Sequence, residues 1–133
     1  MKKIIIVVAL LLSGFTVLGK HFWRGELKSI DEVCSLWGTT KFEIEKFKLK
    51  DEPIRAKMAC DLLRNQKKYI GKTKLEIRKE FGSHDGYYFT DSIPAYLIYL
   101  RKTKSEDSWQ LVFLLDRSRK VSEIVVHKNC CDR

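Results

Sequence analysis

The residues of this chain with the greatest chemical capacity are its three histidines and four cysteines. His84 directly precedes Asp85, and a histidine beside a carboxylate is a minimal pair for general acid–base catalysis. One such pair in a glycine-containing loop is common by chance. The chain has no GxSxG elbow, no HExxH motif and no glycine-rich phosphate loop. We therefore predict no catalytic residues, no metal site and no cofactor. A small hydrolase that uses His84 and Asp85 is the weakest of our three interpretations.

The cysteines indicate disulfides rather than chemistry. An even number of cysteines in an exported chain is typical of disulfide bonding, and four cysteines allow three pairings. The adjacent Cys130 and Cys131 are poor partners for each other, because the ring that such a bond closes is strained. We therefore expect Cys130 and Cys131 to bond separately to Cys34 and Cys60. The spacing lacks the CxxC or CxxH pairs of a zinc site.

Aromatic side chains are concentrated in and just after the segment GSHDGYYFTDSIP, residues 82–94. Tyrosines that are partly exposed and have basic residues nearby are typical of protein-binding surfaces. The candidate binding residues are Tyr87, Tyr88, Phe89, Tyr96, Arg101 and Lys102. The competing interpretation is that these rings complete the core at the open end of a sheet, and the sequence leaves both interpretations open.

The N-terminus indicates export. The basic tripeptide MKK is followed by an uncharged apolar run from Ile4 to Leu18. A run of about 15 apolar residues suits a signal peptide and is shorter than the roughly 20 that a helix needs to cross a bilayer. We predict a signal peptide over residues 1–19, cleaved after Gly19, and a retained N-terminal membrane anchor is the alternative. The expected location is the periplasm or the outer envelope.

The charge of the chain favours acidic partners. Two of the 26 basic residues lie in the leader, which leaves 24 basic against 17 acidic residues over 20–133. This balance suits another envelope protein with an acidic face or an anionic membrane surface, although lysines spread over helix faces are usually only a solvated surface. An exported chain does not meet the chromosome, so we expect no nucleic-acid partner. No small-molecule substrate is evident.

Caps predict three helices that must position these residues. Ser29 and Glu32 form a capping box before an apolar stripe that ends at Gly38. The segment 51–71 opens with acidic residues and a proline, as helices do. The third helix runs between the cap Thr73 and the stop signal Gly82. On the second helix the side chains predicted to face water are Arg55, Lys57, Asp61 and Arg64. The intervening segment TTKFEIEKFKLKDE, residues 39–52, is consistent with an edge strand or an ordered linker.

After residue 94 the apolar period changes from helical to two, which predicts strands. The three predicted strands are Ala95–Lys102, Ser108–Asp116 and Lys120–Lys128. Short turns between them imply antiparallel neighbours, and an apolar face on such a sheet needs helices to cover it. The predicted fold class is α+β, with N-terminal helices packed on one face of a three-stranded antiparallel meander. We divide the chain into a leader (1–19), an N-terminal helix and linker (20–52), and a helical pair with the sheet (53–133).

Two motifs carry a family resemblance. The pattern GxTxxEVxxxLGxPD is approached by Gly71, Thr73, Glu76, Ile77, Phe81 and Gly82. A strand–turn–strand pattern with a central FDxxGKV is approached by Leu111, Phe113, Asp116, Lys120 and Val121. Over about residues 55 to 126 the chain thus resembles the SmpA/OmlA (BamE-like) family of small exported domains. The same α+β unit is similar to the repeat of secreted β-lactamase-inhibitor proteins.

The resemblance implies a non-catalytic envelope protein that works by contact, as an accessory of outer-membrane assembly or integrity. A secreted inhibitor or effector that binds an acidic target protein is the alternative. Two departures from the family pattern stand out. GSHDG replaces the usual Gly-x-Pro-Asp turn, and the lipobox cysteine of the assembly lipoprotein is missing.

Overall fold

The computed structural model describes residues 25–129 of the chain. The predicted signal peptide or anchor, Cys130 and Cys131 lie outside the described residues. Within them, no helix is long and apolar enough to cross a membrane. The helices and strands, in chain order, are β1 (Leu27–Lys28), α1 (Ile30–Trp37), α2 (Ile44–Lys48), α3 (Glu52–Arg64), a 3-10 helix (Gln66–Lys68), α4 (Lys74–Phe81), β2 (Ala95–Tyr99), β3 (Trp109–Leu115) and β4 (Val121–Lys128).

The sheet has four antiparallel strands in the order β1-β4-β3-β2. Helices together with an antiparallel meander of β2, β3 and β4 confirm the α+β prediction, but the predicted count of three strands was wrong. The fourth strand, β1, has only two residues, which pair with His127 and Val126 of β4. Two residues are too few to show an alternating pattern, so this strand is fixed by its partner rather than by local sequence.

The first and last helices are bounded as their caps predicted. The Ser29 side chain accepts the Glu32 amide, and the Glu32 carboxylate accepts the Ser29 amide. Thr73 caps α4 by accepting the Glu76 amide, and the helix ends at Gly82, whose φ of 85° suits glycine. Because these signals are local, they could be predicted without knowing the fold.

The segment 39–52 contains the short helix α2, so an edge strand was wrong for it, and the alternative of an ordered linker lacked this helical turn. Tertiary contacts hold this single turn in place. Phe47 is fully buried and packs against the rings of Phe81 and Tyr96. Just ahead of the turn, the Phe42 amide donates to the Asp61 carboxylate on α3 at 2.8 Å.

Both faces of the sheet are covered. The main core lies between the helices and the face of β3 that carries Trp109, Leu111 and Phe113. A smaller apolar cluster covers the opposite face, and its buried members are Tyr88, Ala95, Val112 and Val125. Tyr88 comes from the segment 82–94, so that segment is the cover of the second face.

The expected disulfide pairing was wrong. Cys34 of α1 is bonded to Cys60 of α3, with the Cα atoms 4.8 Å apart. The two helices pack side by side, which brings these cysteines within bonding range of each other. Neither is therefore available to Cys130 or Cys131.

Candidate functional site

The candidate site is built on residues 82–94, which we call the aromatic loop. It leaves α4 at Gly82 and ends where β2 begins. Its first anchor is Asp85, which accepts Nη1 of Arg55 at 2.9 and 3.3 Å and the Leu97 amide at 2.9 Å. Arg55 also donates to the carbonyls of Leu97 (2.8 Å) and Phe47 (2.7 Å). The prediction that Arg55 faces water was wrong, since only 1% of this residue is exposed.

The same contacts close the outer edge of the sheet. No further strand pairs with β2 on that side among residues 25–129. The outward amide and carbonyl of Leu97 are satisfied by Asp85 and Arg55, and the carbonyl of Ala95 accepts the Gly86 amide at 2.9 Å. An open strand edge is a template for pairing with another chain. The Arg55–Asp85 pair therefore both fixes the loop and protects the edge.

The second anchor of the loop is Gln110 of β3, which is fully buried. Its side-chain oxygen accepts the Tyr87 amide at 2.9 Å, and its side-chain nitrogen donates to the Tyr87 carbonyl at 2.6 Å. The same nitrogen lies 3.2 Å from Nδ1 of His127. Sequence reasoning did not identify Gln110. A glutamine within the apolar strand WQLVFLL was the available signal, because a buried amide there needs polar partners.

His127 lies beneath the loop and is 8% exposed. Tyr88 packs edge-on against its imidazole with the ring centroids 4.7 Å apart. Gly25 also approaches the ring, so closely that a Cβ there would lie 2.5 Å from Nε2. Burial lowers the pKa of His127 below the ordinary value of 6.5, and the nearby Glu26 carboxylate acts in the opposite direction.

The predicted binding residues divide into exposed and buried groups. Tyr87 and Phe89 are 59% and 64% exposed, whereas Tyr88 is 5% and Tyr96 is 0% exposed. Tyr96 belongs to the main core, where its hydroxyl donates to the Gly82 carbonyl and burial raises its pKa. Tyr96 and Tyr88 therefore have to be removed from the predicted partner surface, since the core interpretation is the right one for both.

Arg101 and Lys102 are exposed in the connection between β2 and β3. A groove of about 540 Å³ lies between Tyr87 and Arg101, and a second groove of about 590 Å³ lies between Tyr87, Phe89 and His127. Tyr87 lines both grooves, as do Lys128 and Asn129. The structure thus places Arg101 beside the aromatic loop, while Lys102 lines neither groove.

Phe89 has an unusual backbone for an aromatic residue. Its φ of 57° lies in the left-handed region, which side chains with a Cβ rarely adopt. Strain of this kind persists only where surrounding contacts hold it, and it is concentrated at functional sites. The ring of Phe89 packs on Tyr88 with the centroids 4.7 Å apart, and its carbonyl accepts the Tyr87 hydroxyl at 2.9 Å.

His84 and Asp85 are bonded to different partners. Nδ1 of His84 faces the Arg78 guanidinium at 3.1 Å, while the Asp85 carboxylate is bonded to Arg55 and Leu97. Burial and then the Arg78 charge lower the pKa of His84. Over residues 25–129, no group of three His, Cys, Asp or Glu side chains is arranged to hold a metal ion.

Compared with known proteins, the chain matches no family model, no curated protein and no solved structure. The BamE-like resemblance therefore stays a prediction. The function has to be argued from the site itself.

Proposed function

We propose that this chain is a non-catalytic exported protein that binds another protein of the cell envelope, as an accessory to outer-membrane assembly or integrity. The observation that carries the proposal is the pair of exposed rings, Tyr87 and Phe89. They belong to a loop whose backbone is held in place by hydrogen bonds to the buried side chain of Gln110. Exposed aromatic side chains on a fixed backbone suit protein binding, because little conformational freedom is lost on association. The BamE-like resemblance supports the same class of function.

Export is part of this proposal and has two supports. The first is the predicted signal peptide. The second is the Cys34–Cys60 bond, since structural disulfides form and persist mainly in oxidising compartments outside the cytosol.

The test is affinity capture from the native envelope with a variant that removes both exposed rings, Tyr87→Ala with Phe89→Gly. Glycine is chosen at position 89 because it adopts the φ of 57° without strain. We expect loss of the captured partner, while the free energy of unfolding changes by no more than about 1 kcal/mol.

The matched control is Leu49→Ala with Leu75→Ala, which removes two apolar side chains that are 73% and 75% exposed and lie outside the aromatic loop. This control should retain the partner. If the loop variant captures the same protein as the parent chain, the aromatic loop is not the binding surface.

A second candidate is a secreted inhibitor or effector of an acidic target protein, favoured by a basic end of the molecule. The Gly71 amide and the Lys72 carbonyl bond to Val121 at 2.8 Å each, so the segment after α3 lies beside the turn between β3 and β4. The basic residues of these two segments are Lys67, Lys68, Lys72, Arg117, Arg119 and Lys120. The same charge would suit an anionic membrane surface.

Charge reversal separates the two candidates. Arg117→Glu with Arg119→Glu should leave the captured partner in place if the aromatic loop is the binding surface. Loss of the partner in this variant, with retention in the loop variant, would instead favour the acidic target.

A further inference from the structure

The contacts of Gln110 define the protonation state of His127. The side-chain oxygen of Gln110 is committed to the Tyr87 amide, so the amide nitrogen must be the atom that faces His127. That nitrogen can only donate. Nδ1 of His127 is therefore an acceptor, which means that the imidazole is neutral and carries its proton on Nε2.

We infer that His127 regulates the proposed binding site: protonation of His127 releases the aromatic loop, so the surface of Tyr87 and Phe89 is held in its binding conformation only while His127 is neutral. The inference rests on the proposed function, because it concerns the same surface.

Protonation at Nδ1 places one N–H donor opposite another. The conflict is relieved if the Gln110 amide turns its oxygen toward His127. The amide nitrogen of Gln110 then faces the Tyr87 amide, and the oxygen no longer accepts from it. Both bonds to the Tyr87 backbone, of 2.9 and 2.6 Å, are lost together. The protonated Nδ1 has little access to water as compensation, since its contact with Gln110 is buried.

Few charged groups near His127 favour the protonated ring. Glu26, just ahead of β1, favours the protonated ring, but its carboxylate is already bonded to Lys128 at 3.3 Å. Lys128, next to His127 in β4, also reaches Asp107. From β3 the facing group is the neutral amide of Gln110, and from the loop the facing groups are the rings of Tyr88 and Phe89.

The sign of the pH effect follows from the direction of the shift. The pKa of His127 in the folded chain lies below the 6.5 of a free histidine. The unfolded chain therefore binds the proton more readily, and the stability associated with neutral His127 is complete above about pH 6.5 and is lost as the pH falls below that value. Loop release is expected in this acidic range.

The experiment is an NMR titration of the full chain from pH 7.5 to pH 4.5, in the absence of any partner. It follows the His127 ring signal and the hydrogen-exchange protection of the Tyr87 amide, corrected for the intrinsic effect of pH on exchange. We expect Tyr87 protection to fall by about tenfold or more as His127 titrates, because both of its backbone bonds are lost. Amides in the centre of β3 should stay protected.

His127→Asn is the informative variant, since its Oδ1 takes the position of Nδ1 and can still accept from Gln110, but it does not titrate. Its Tyr87 protection should not depend on pH, whereas the control His84→Asn should keep the transition. The inference is overturned if Tyr87 protection in the parent chain is unchanged while His127 titrates, or if the transition persists in His127→Asn. The parent titration is decisive even if His127→Asn fails to fold. Since no partner is present, a negative result here leaves the capture experiment, carried out at pH 7.5, as an independent test of the proposed function.

Discussion

Replacing Asp85 with asparagine is expected to lower the free energy of unfolding by about 3 kcal/mol, because it leaves the buried Arg55 guanidinium without a counter-charge. The side chain of Arg55 is 1% exposed and that of Asp85 is 22% exposed. Breaking a buried ion pair from one side typically costs about 3 to 5 kcal/mol, and the partial exposure of Asp85 places this pair at the lower end. Urea unfolding followed by tryptophan fluorescence measures the change.

The Asp85→Asn variant should also self-associate. The side-chain NH2 group of asparagine would face the Arg55 guanidinium, which is also a donor. The contacts of Asp85 and Arg55 that protect Leu97 at the sheet edge are therefore weakened. Light scattering at increasing concentration should show the variant forming larger species than the parent. Asp91→Asn is the matched control, because it makes the same change of charge at an exposed position of the aromatic loop and should behave as the parent does. A loss of under 1 kcal/mol in Asp85→Asn would mean that the ion pair does not hold the loop.

Removing the disulfide with Cys34→Ala and Cys60→Ala is expected to lower the free energy of unfolding by roughly 3 to 4 kcal/mol. The bond closes a loop with a sequence separation of 26, for which chain-entropy arguments give this magnitude. We expect the bond to matter most for the helix α1. Its eight residues bury only Val33 completely, and Trp37 adds a stacked contact on Tyr99 at 5.6 Å.

The double variant is preferred to either single one, because a single change leaves a thiol that could pair with Cys130 or Cys131. Chemical denaturation of the double variant is compared with that of the oxidised parent chain. The parent in reducing agent is the control, and it should unfold at the same denaturant concentration as the double variant. Equal stability of the oxidised parent and the double variant would show that α1 is held by packing alone.

The parts of the fold that the sequence predicted are those with local signals. Ser29 and Thr73 begin α1 and α4 by bonding their own neighbours, and an alternating apolar pattern identifies β3. The helix α2 and the strand β1 have no such signal, because distant residues hold them: Asp61 accepts the Phe42 amide ahead of α2, and β4 pairs with β1.

The residues of the candidate site also divide into those that the sequence predicted and those that it did not. The sequence identified Tyr87 and Phe89, but it did not distinguish them from Tyr96, because exposure depends on which face the aromatic loop covers. Arg55, like Gln110, was missed although the sequence carried a signal for it. Arg55 precedes Ala59 and Leu62 by four and seven residues, which places it on the buried stripe of α3. Its partner Asp85 is 30 residues away and could not be inferred.

The central claim is that Phe89 and Tyr87 contact another envelope protein, and site-specific photo-crosslinking in living cells tests it most directly. A photoreactive phenylalanine analogue would replace Phe89 in one strain and Leu75, which is also exposed, in a control strain. The account predicts one discrete adduct with an envelope protein from position 89, absent from position 75 and lost when Tyr87→Ala is added. Adducts at both positions, or none at position 89 in a chain shown to be folded and exported, would contradict it.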